Sequence, residues 1–179
     1  MPHTRSKIIS IMRKIIYLWN RLYYGLFLYN SRVQITFYKT LVIIPIRLLN
    51  KIGIQKKHKN VNKKVVRSLT DERISVVVLI SDAMILALTA LIVWTIANLI
   101  SLLIPSASLA LLNRGTFMVV TAVLITPINY LFLWQNDKYL KYFKLFRNAS
   151  PSSNRIWSVI SISTLLFALL MFILSMHLM

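Results

Sequence analysis

Apolar residues follow two regimes along this chain. In the first, between Lys7 and Phe27, Ile8, Ile11, Met12, Ile15, Trp19, Leu22, Tyr23 and Leu26 recur at steps of three and four, which gathers them on one side of a helix. Lys7, Ser10, Arg13, Lys14, Tyr17, Asn20, Arg21 and Tyr24 fall on the other side. The pattern predicts a basic amphipathic helix that lies in a membrane interface, packs against the chain's other helices, or does both. The stretch from Val33 to Asn50 is also apolar but carries Lys39, Pro45 and Arg47. It is too short and too charged for a crossing. It predicts a second interfacial or re-entrant helix, bent near Pro45, where the ring removes an amide donor and clashes with the preceding turn.

The second regime is continuous rather than periodic. Three apolar runs, about residues 74 to 104, 116 to 135 and 156 to 178, are each long enough to cross a hydrocarbon core of about 30 Å. The first would measure roughly 46 Å as a helix, so it must tilt or protrude. Ser68 with Asp71 resembles a capping box leading into it. Pro105 closes it, and Asn113, Arg114 and Gly115 turn the chain. The second run contains Pro127, which predicts a kink, with Thr126 and Asn129 at hand for the freed backbone. Between the second and third runs, Leu140, Phe143 and Phe146 alternate with Lys138, Lys141, Lys144 and Arg147, predicting a further membrane-surface helix. Pro151 should end it, with Ser152 or Ser153 capping the third run. The fold class is therefore all-α: an integral membrane protein with three transmembrane helices, preceded by basic amphipathic interfacial helices. Residues 1–50 form the surface helices, 51–73 a polar basic linker and 74–179 the three-helix transmembrane domain.

Charge orients this arrangement. Lys and Arg outnumber Asp and Glu by 22 to 4, and sixteen of those basic residues precede position 74. The connection between the first two runs has Arg114 alone, whereas the next has Lys138, Lys141, Lys144, Arg147 and Arg155. Three crossings place both basic regions on one side, and the positive-inside rule makes that side cytoplasmic, with the C-terminus opposite. A fourth crossing at residues 33–50 would leave strong positive clusters on both faces, which the rule disfavours. An acid-free basic start is also what a mitochondrial presequence looks like, so the mitochondrial inner membrane is the alternative location. The basic residues Arg13, Lys14, Arg21, Lys56, Lys57, Lys59, Lys63 and Lys64 are the candidate contacts for anionic lipid head groups or a partner protein. Nucleic acid is a poorer match, because the interleaved aromatics already lie on apolar faces and no RNP, zinc or helix-turn-helix signature occurs.

Candidate chemistry is sparse. The chain has no Cys, which excludes disulfides and thiolate sites. His3, His58 and His177 are too scattered to be argued into one metal site. No HExxH, glycine-rich phosphate loop or nucleophile elbow occurs, and the only carboxylates are Asp71, Glu72, Asp82 and Asp137. A non-catalytic protein without a cofactor is expected. Asp82 is the one acid inside an apolar run, where a charge must be paired, hydrated or protonated. With Ser75, Thr89 and Asn98 it gives the first crossing a polar seam that would face a neighbouring helix. The two leading functional expectations are an accessory subunit or membrane anchor with a basic face, and a small homo-oligomeric channel or transporter lined by Asp82, Thr89 and Asn98; a membrane-bound enzyme acting on lipid comes third, because clustered acids, His and Cys are lacking. Trp19, Tyr23, Tyr130, Trp134, Tyr139 and Trp157 sit near the expected interfaces, as amphipathic rings prefer.

Overall fold

The computed structural model describes residues 2–44, 64–68, 71–73, 75–104 and 114–178. Among them the regular structure is entirely helical. The expectations for Pro45, His58, Lys56, Lys57, Lys59, Lys63, Pro105 and Asn113 lie outside the described residues.

Helix α1 runs from Pro2 to Tyr38, 37 residues or about 55 Å, and widens into a π turn over Lys39–Ile43. The two separate surface helices expected here are thus one helix over the described range. Nothing between Leu28 and Arg32 removes a backbone donor, so helical hydrogen bonding continues from the first apolar stretch into the second.

Helix α2 spans Val76–Leu103, and its N-cap is Ser75, whose side chain accepts from the Val78 amide. The expected cap at Ser68 and Asp71 is therefore displaced by seven residues. There, the Asp71 carboxylate accepts instead from the Arg73 amide at 2.8 Å. Helix α3 covers Arg114–Asn129 with Pro127 inside it, and passes into a π turn at Tyr130–Trp134. Two consecutive left-handed residues, Asn136 (φ 56°) and Asp137 (φ 53°), then break the path. Non-glycine side chains tolerate that region poorly, with Asn and Asp the usual exceptions. Helix α4 follows at Lys138–Arg147. Helix α5 spans Pro151–His177 and is capped by Ser150, with Pro151 at its first turn. Proline therefore begins this helix rather than ending α4, as suits a residue whose missing N–H would have had no partner there.

Among the described residues three stretches are long and apolar enough to cross a membrane: α2, the segment Met118–Arg147, and α5. Asn136 and Asp137 interrupt the second, so its uninterrupted apolar part ends at Trp134. Cross-helix contacts fix the directions. Thr89 meets Asn129 and Trp94 meets Thr121, so α2 and α3 are antiparallel. Trp94 meets Phe172 and Asn98 meets Ser175, so α2 and α5 are parallel. Their first turns, with α4 and the middle of α1, gather at one end of the bundle.

The packing differs from that of a protein folded in water: beside a core that includes Leu26, Val77, Ile85, Leu88 and Leu133, polar residues are buried and large apolar ones face outward. Outward-facing residues include Leu79, Val119, Val123, Val159, Leu166 and Phe167, each about 60% exposed or more, while Ser81, Thr89, Asn98, Asn129, Ser158, Ser161 and Ser175 are buried. Hydrocarbon offers no force that drives apolar side chains inward, so small and hydrogen-bonding residues hold such bundles together. Helices α1 and α5 cross closely at Gly25. At Gly25 an added Cβ would lie 2.0 Å from Ser161 Oγ and 2.6 Å from the Trp157 carbonyl oxygen, and Ser158 Oγ donates to the Gly25 carbonyl at 3.2 Å. Only glycine permits that approach.

Candidate functional site

The middle of α1 organises the polar interior. Tyr23, 1% exposed, donates its phenolic O–H to Asp82 Oδ1 on α2. Trp134 Nε1 donates to the same oxygen at 3.3 Å. Asp82 is half-buried, so its carboxylate is held by two neutral donors, which lower the cost of placing it there.

Thr89 and Asn98 serve other neighbours. Asn129 of α3 donates to Thr89 Oγ1 at 2.9 Å and to the Ile125 carbonyl at 3.0 Å, and Trp19 Nε1 donates to Asn129 Oδ1 at 3.4 Å. Asn98 Nδ2 donates to Ser175 Oγ on α5 at 3.0 Å. The expected seam therefore does not face one helix. Asp82 binds α1 and the π turn, Thr89 binds α3 and Asn98 binds α5, which spreads the polar contacts around α2. Tyr23, Trp134 and Trp19 use their polar handles for these bonds rather than for interfacial anchoring, whereas Tyr130 is 52% exposed.

Arg21 departs furthest from expectation. Its place on the polar side of α1 predicts contact with lipid phosphates, yet it is 3% exposed. Its Nη2 donates to Ser153 Oγ at 3.2 Å and to Asn154 Oδ1 at 3.0 Å. Its guanidinium carbon lies 4.5 Å from the Phe146 ring centroid, with Trp157 at 5.5 Å and Tyr24 at 5.8 Å. Desolvation pushes its pKa below the ordinary arginine value, though the group stays protonated. Three ring faces stand in for a counter-charge, but Nη1 is buried with no hydrogen-bond partner among the described residues. Nearby, Asn20 Nδ2 donates to the Ile16 and Phe132 carbonyls. Asn20 and Arg21 are buried because the π turn and the first turn of α5 supply acceptors to them.

The remaining candidates scatter. Arg13 and Lys14 are exposed on the outer third of α1, beside the exposed Ile8, Ile11, Met12 and Ile15. Lys64 is exposed in a short helical stretch at 64–68. Arg21 joins neither. Helix α4 does show the expected two faces: Phe143 and Phe146 are buried while Lys141 and Lys144 are exposed. The apolar face packs on Tyr17, Tyr23, Tyr24 and Phe27 of α1, forming an aromatic cluster above the bundle.

Beside α4 a cleft of about 490 Å³ is lined by Arg67, Asp71, Glu72, Arg73, Asn136, Asp137, Leu140, Lys141, Lys144 and Arg147. Glu72 and Arg147 form an ion pair across it, which raises the Arg147 pKa through the Glu72 hydrogen bond. A second cleft, about 510 Å³, is lined by Ser68, Arg73, Ser75, Val76, Val78, Leu79 and Asp82. The sequence already puts Lys141 and Lys144 on a helix face turned to water and phosphate, whereas Arg73 is not among its candidate contacts. The signal lies in the spacing of Lys141, Lys144 and Arg147, but Arg67, Asp71, Glu72 and Arg73 are brought to face them only by the fold.

Among the described residues no three His, Asp or Glu side chains group closely enough to hold a metal ion. Compared with family models, curated proteins and solved structures, the chain matches none.

Proposed function

We propose that this chain is a non-catalytic, multi-pass membrane protein, an accessory subunit or membrane anchor, whose basic end engages anionic lipid or a partner protein. One observation carries the reading. The bundle is apolar outside and holds buried polar residues at its helix contacts, while exposed Lys141, Lys144 and Arg73 gather where α2 and α5 begin. In this reading α2, the apolar part of Met118–Trp134 and α5 cross the bilayer, and the cationic end faces the cytoplasm in accord with the positive-inside rule. The outer third of α1 lies along the same surface, its isoleucines among acyl chains and Lys7, Arg13 and Lys14 among phosphates.

The oligomeric channel has less support, because Asp82, Thr89 and Asn98 are each bonded to a different helix of their own chain. Purification of the tagged protein in mild detergent, with mass determination of the intact complex, tests the choice. The proposal expects a stoichiometric partner protein or retained anionic lipid. A homo-oligomer whose ion flux in vesicles is abolished by Asp82→Asn would overturn it.

A further inference from the structure

The two clefts at the start of α2 share Arg73, and their characters differ in a useful way. The one beside α4 is ionic. Its lining carries five cationic and three acidic side chains, a surplus of two positive charges that survives the Glu72–Arg147 pair. Lys141 and Lys144 project from one face of α4, exposed and without an ion pair among the described residues. The other cleft turns apolar along the first turns of α2, where Val76 is 58% and Leu79 69% exposed. A surface that passes within a few residues from ammonium and guanidinium groups to bare aliphatic side chains matches a phosphate head joined to a hydrocarbon chain.

The geometry points to a single binding site for one anionic phospholipid, its phosphate on Arg73, Lys141 and Lys144 and an acyl chain along Val76 and Leu79. Arginine and lysine supply the charge-assisted donors that phosphate oxygens accept, and the surplus charge selects an anionic over a zwitterionic head group. The aliphatic floor distinguishes a lipid from a free phosphate, which would gain nothing from it. Asp71 and Asp137 on the rim disfavour a phosphate placed away from the lysines. The inference rests on the proposed membrane reading and narrows its lipid contact to this place.

The test uses the full chain in mild detergent and native mass determination with added dioctanoyl phosphatidylglycerol, against dioctanoyl phosphatidylcholine. Lys141→Gln/Lys144→Gln should weaken phosphatidylglycerol binding roughly thirtyfold, about fivefold for each ammonium taken from an anionic lipid. Arg32→Gln/Lys39→Gln, which removes equal charge at exposed positions of α1 and its π turn away from the site, should leave it within a factor of two or so. Leu79→Asp, an exposed position, should weaken the lipid as well and provides a second handle if the lysine variant does not fold. Binding that survives both substitutions at the site overturns the site but not the anionic-lipid contact of the basic end, whereas no preference for the anionic lipid in the unaltered chain overturns both and leaves the proposed partner protein. Glycerol phosphate competing as well as the short-chain lipid would show a soluble phosphate ligand and overturn the lipid assignment.

Discussion

Replacing Gly25 by alanine sets two effects of opposite sign against each other. In a helix interior alanine is favoured over glycine by about 0.8–1.0 kcal/mol, so a loosely packed α1 would gain stability from the change. At this crossing, however, the new methyl meets Ser161 Oγ at 2.0 Å and the Trp157 carbonyl oxygen at 2.6 Å. A serine rotamer can move; a backbone carbonyl in the second turn of α5 cannot move without the helix. Both helices must therefore separate by roughly half an ångström or more to reach ordinary contact distance. Overpacking of this kind costs typically 1–3 kcal/mol, and separation also stretches the Ser158 bond to the Gly25 carbonyl, a contact of about 0.5–1.5 kcal/mol. After the propensity gain, Gly25→Ala should lose about 1–3 kcal/mol. In a chain of this size that lowers the midpoint of reversible thermal unfolding in detergent, followed by circular dichroism, by roughly 2–10 °C. Adding Ser161→Ala should restore only part of the loss, since the carbonyl contact remains. A midpoint that rises with Gly25→Ala would refute the close crossing of α1 and α5.

The buried polar groups give three further expectations. Asp82→Asn keeps an oxygen acceptor for Tyr23 and Trp134 and should change stability by less than about 1 kcal/mol, whereas Asp82→Leu strands both donors and should cost about 1–3 kcal/mol; the same thermal assay compares them. Asn129→Ala removes the link between Trp19 and Thr89 and should cost about 1–2 kcal/mol, each interhelical bond in such bundles contributing about 0.6 kcal/mol on average. Arg21→Met retains most of the packing against Phe146 and Trp157 without burying an unpaired charge, so it should be neutral or stabilising. Arg21→Lys should be destabilising, because the ammonium cannot stack on the rings and bond Ser153 and Asn154 together. A less stable methionine variant would mean that the Ser153 and Asn154 bonds outweigh the desolvation of the guanidinium.

The crossing helices were legible because runs of twenty or more predominantly apolar residues with at most one charged side chain leave few alternatives. Helices α2 and α5 therefore begin and end within a few residues of expectation. Caps were less legible, since serine recurs in both linkers and only the backbone conformation selects Ser75 over Ser68 and Ser150 over Ser152. The role of α1 was the hardest to read. Asn20 and Arg21 look like a water-facing side in any periodicity argument, and what buries them, the Phe132 carbonyl and the first turn of α5, lies over a hundred residues away. Gly25 was the available clue: one of three glycines in the chain, placed mid-helix where it is disfavoured, it marks a close approach. In the same way Asp82, Thr89 and Asn98 were visible as polar exceptions, but which helix each one meets depends on the tertiary arrangement.

Three crossings with the cationic regions on one side is the claim on which the rest depends, and the absence of cysteine makes it directly testable. Single cysteines at Lys14, Lys144 and Leu178 would be probed in sealed, uniformly oriented vesicles with a membrane-impermeant maleimide, from each side in turn. Lys14→Cys and Lys144→Cys should react from one side and Leu178→Cys only from the other. Reaction of all three from the same side would contradict the three-crossing account.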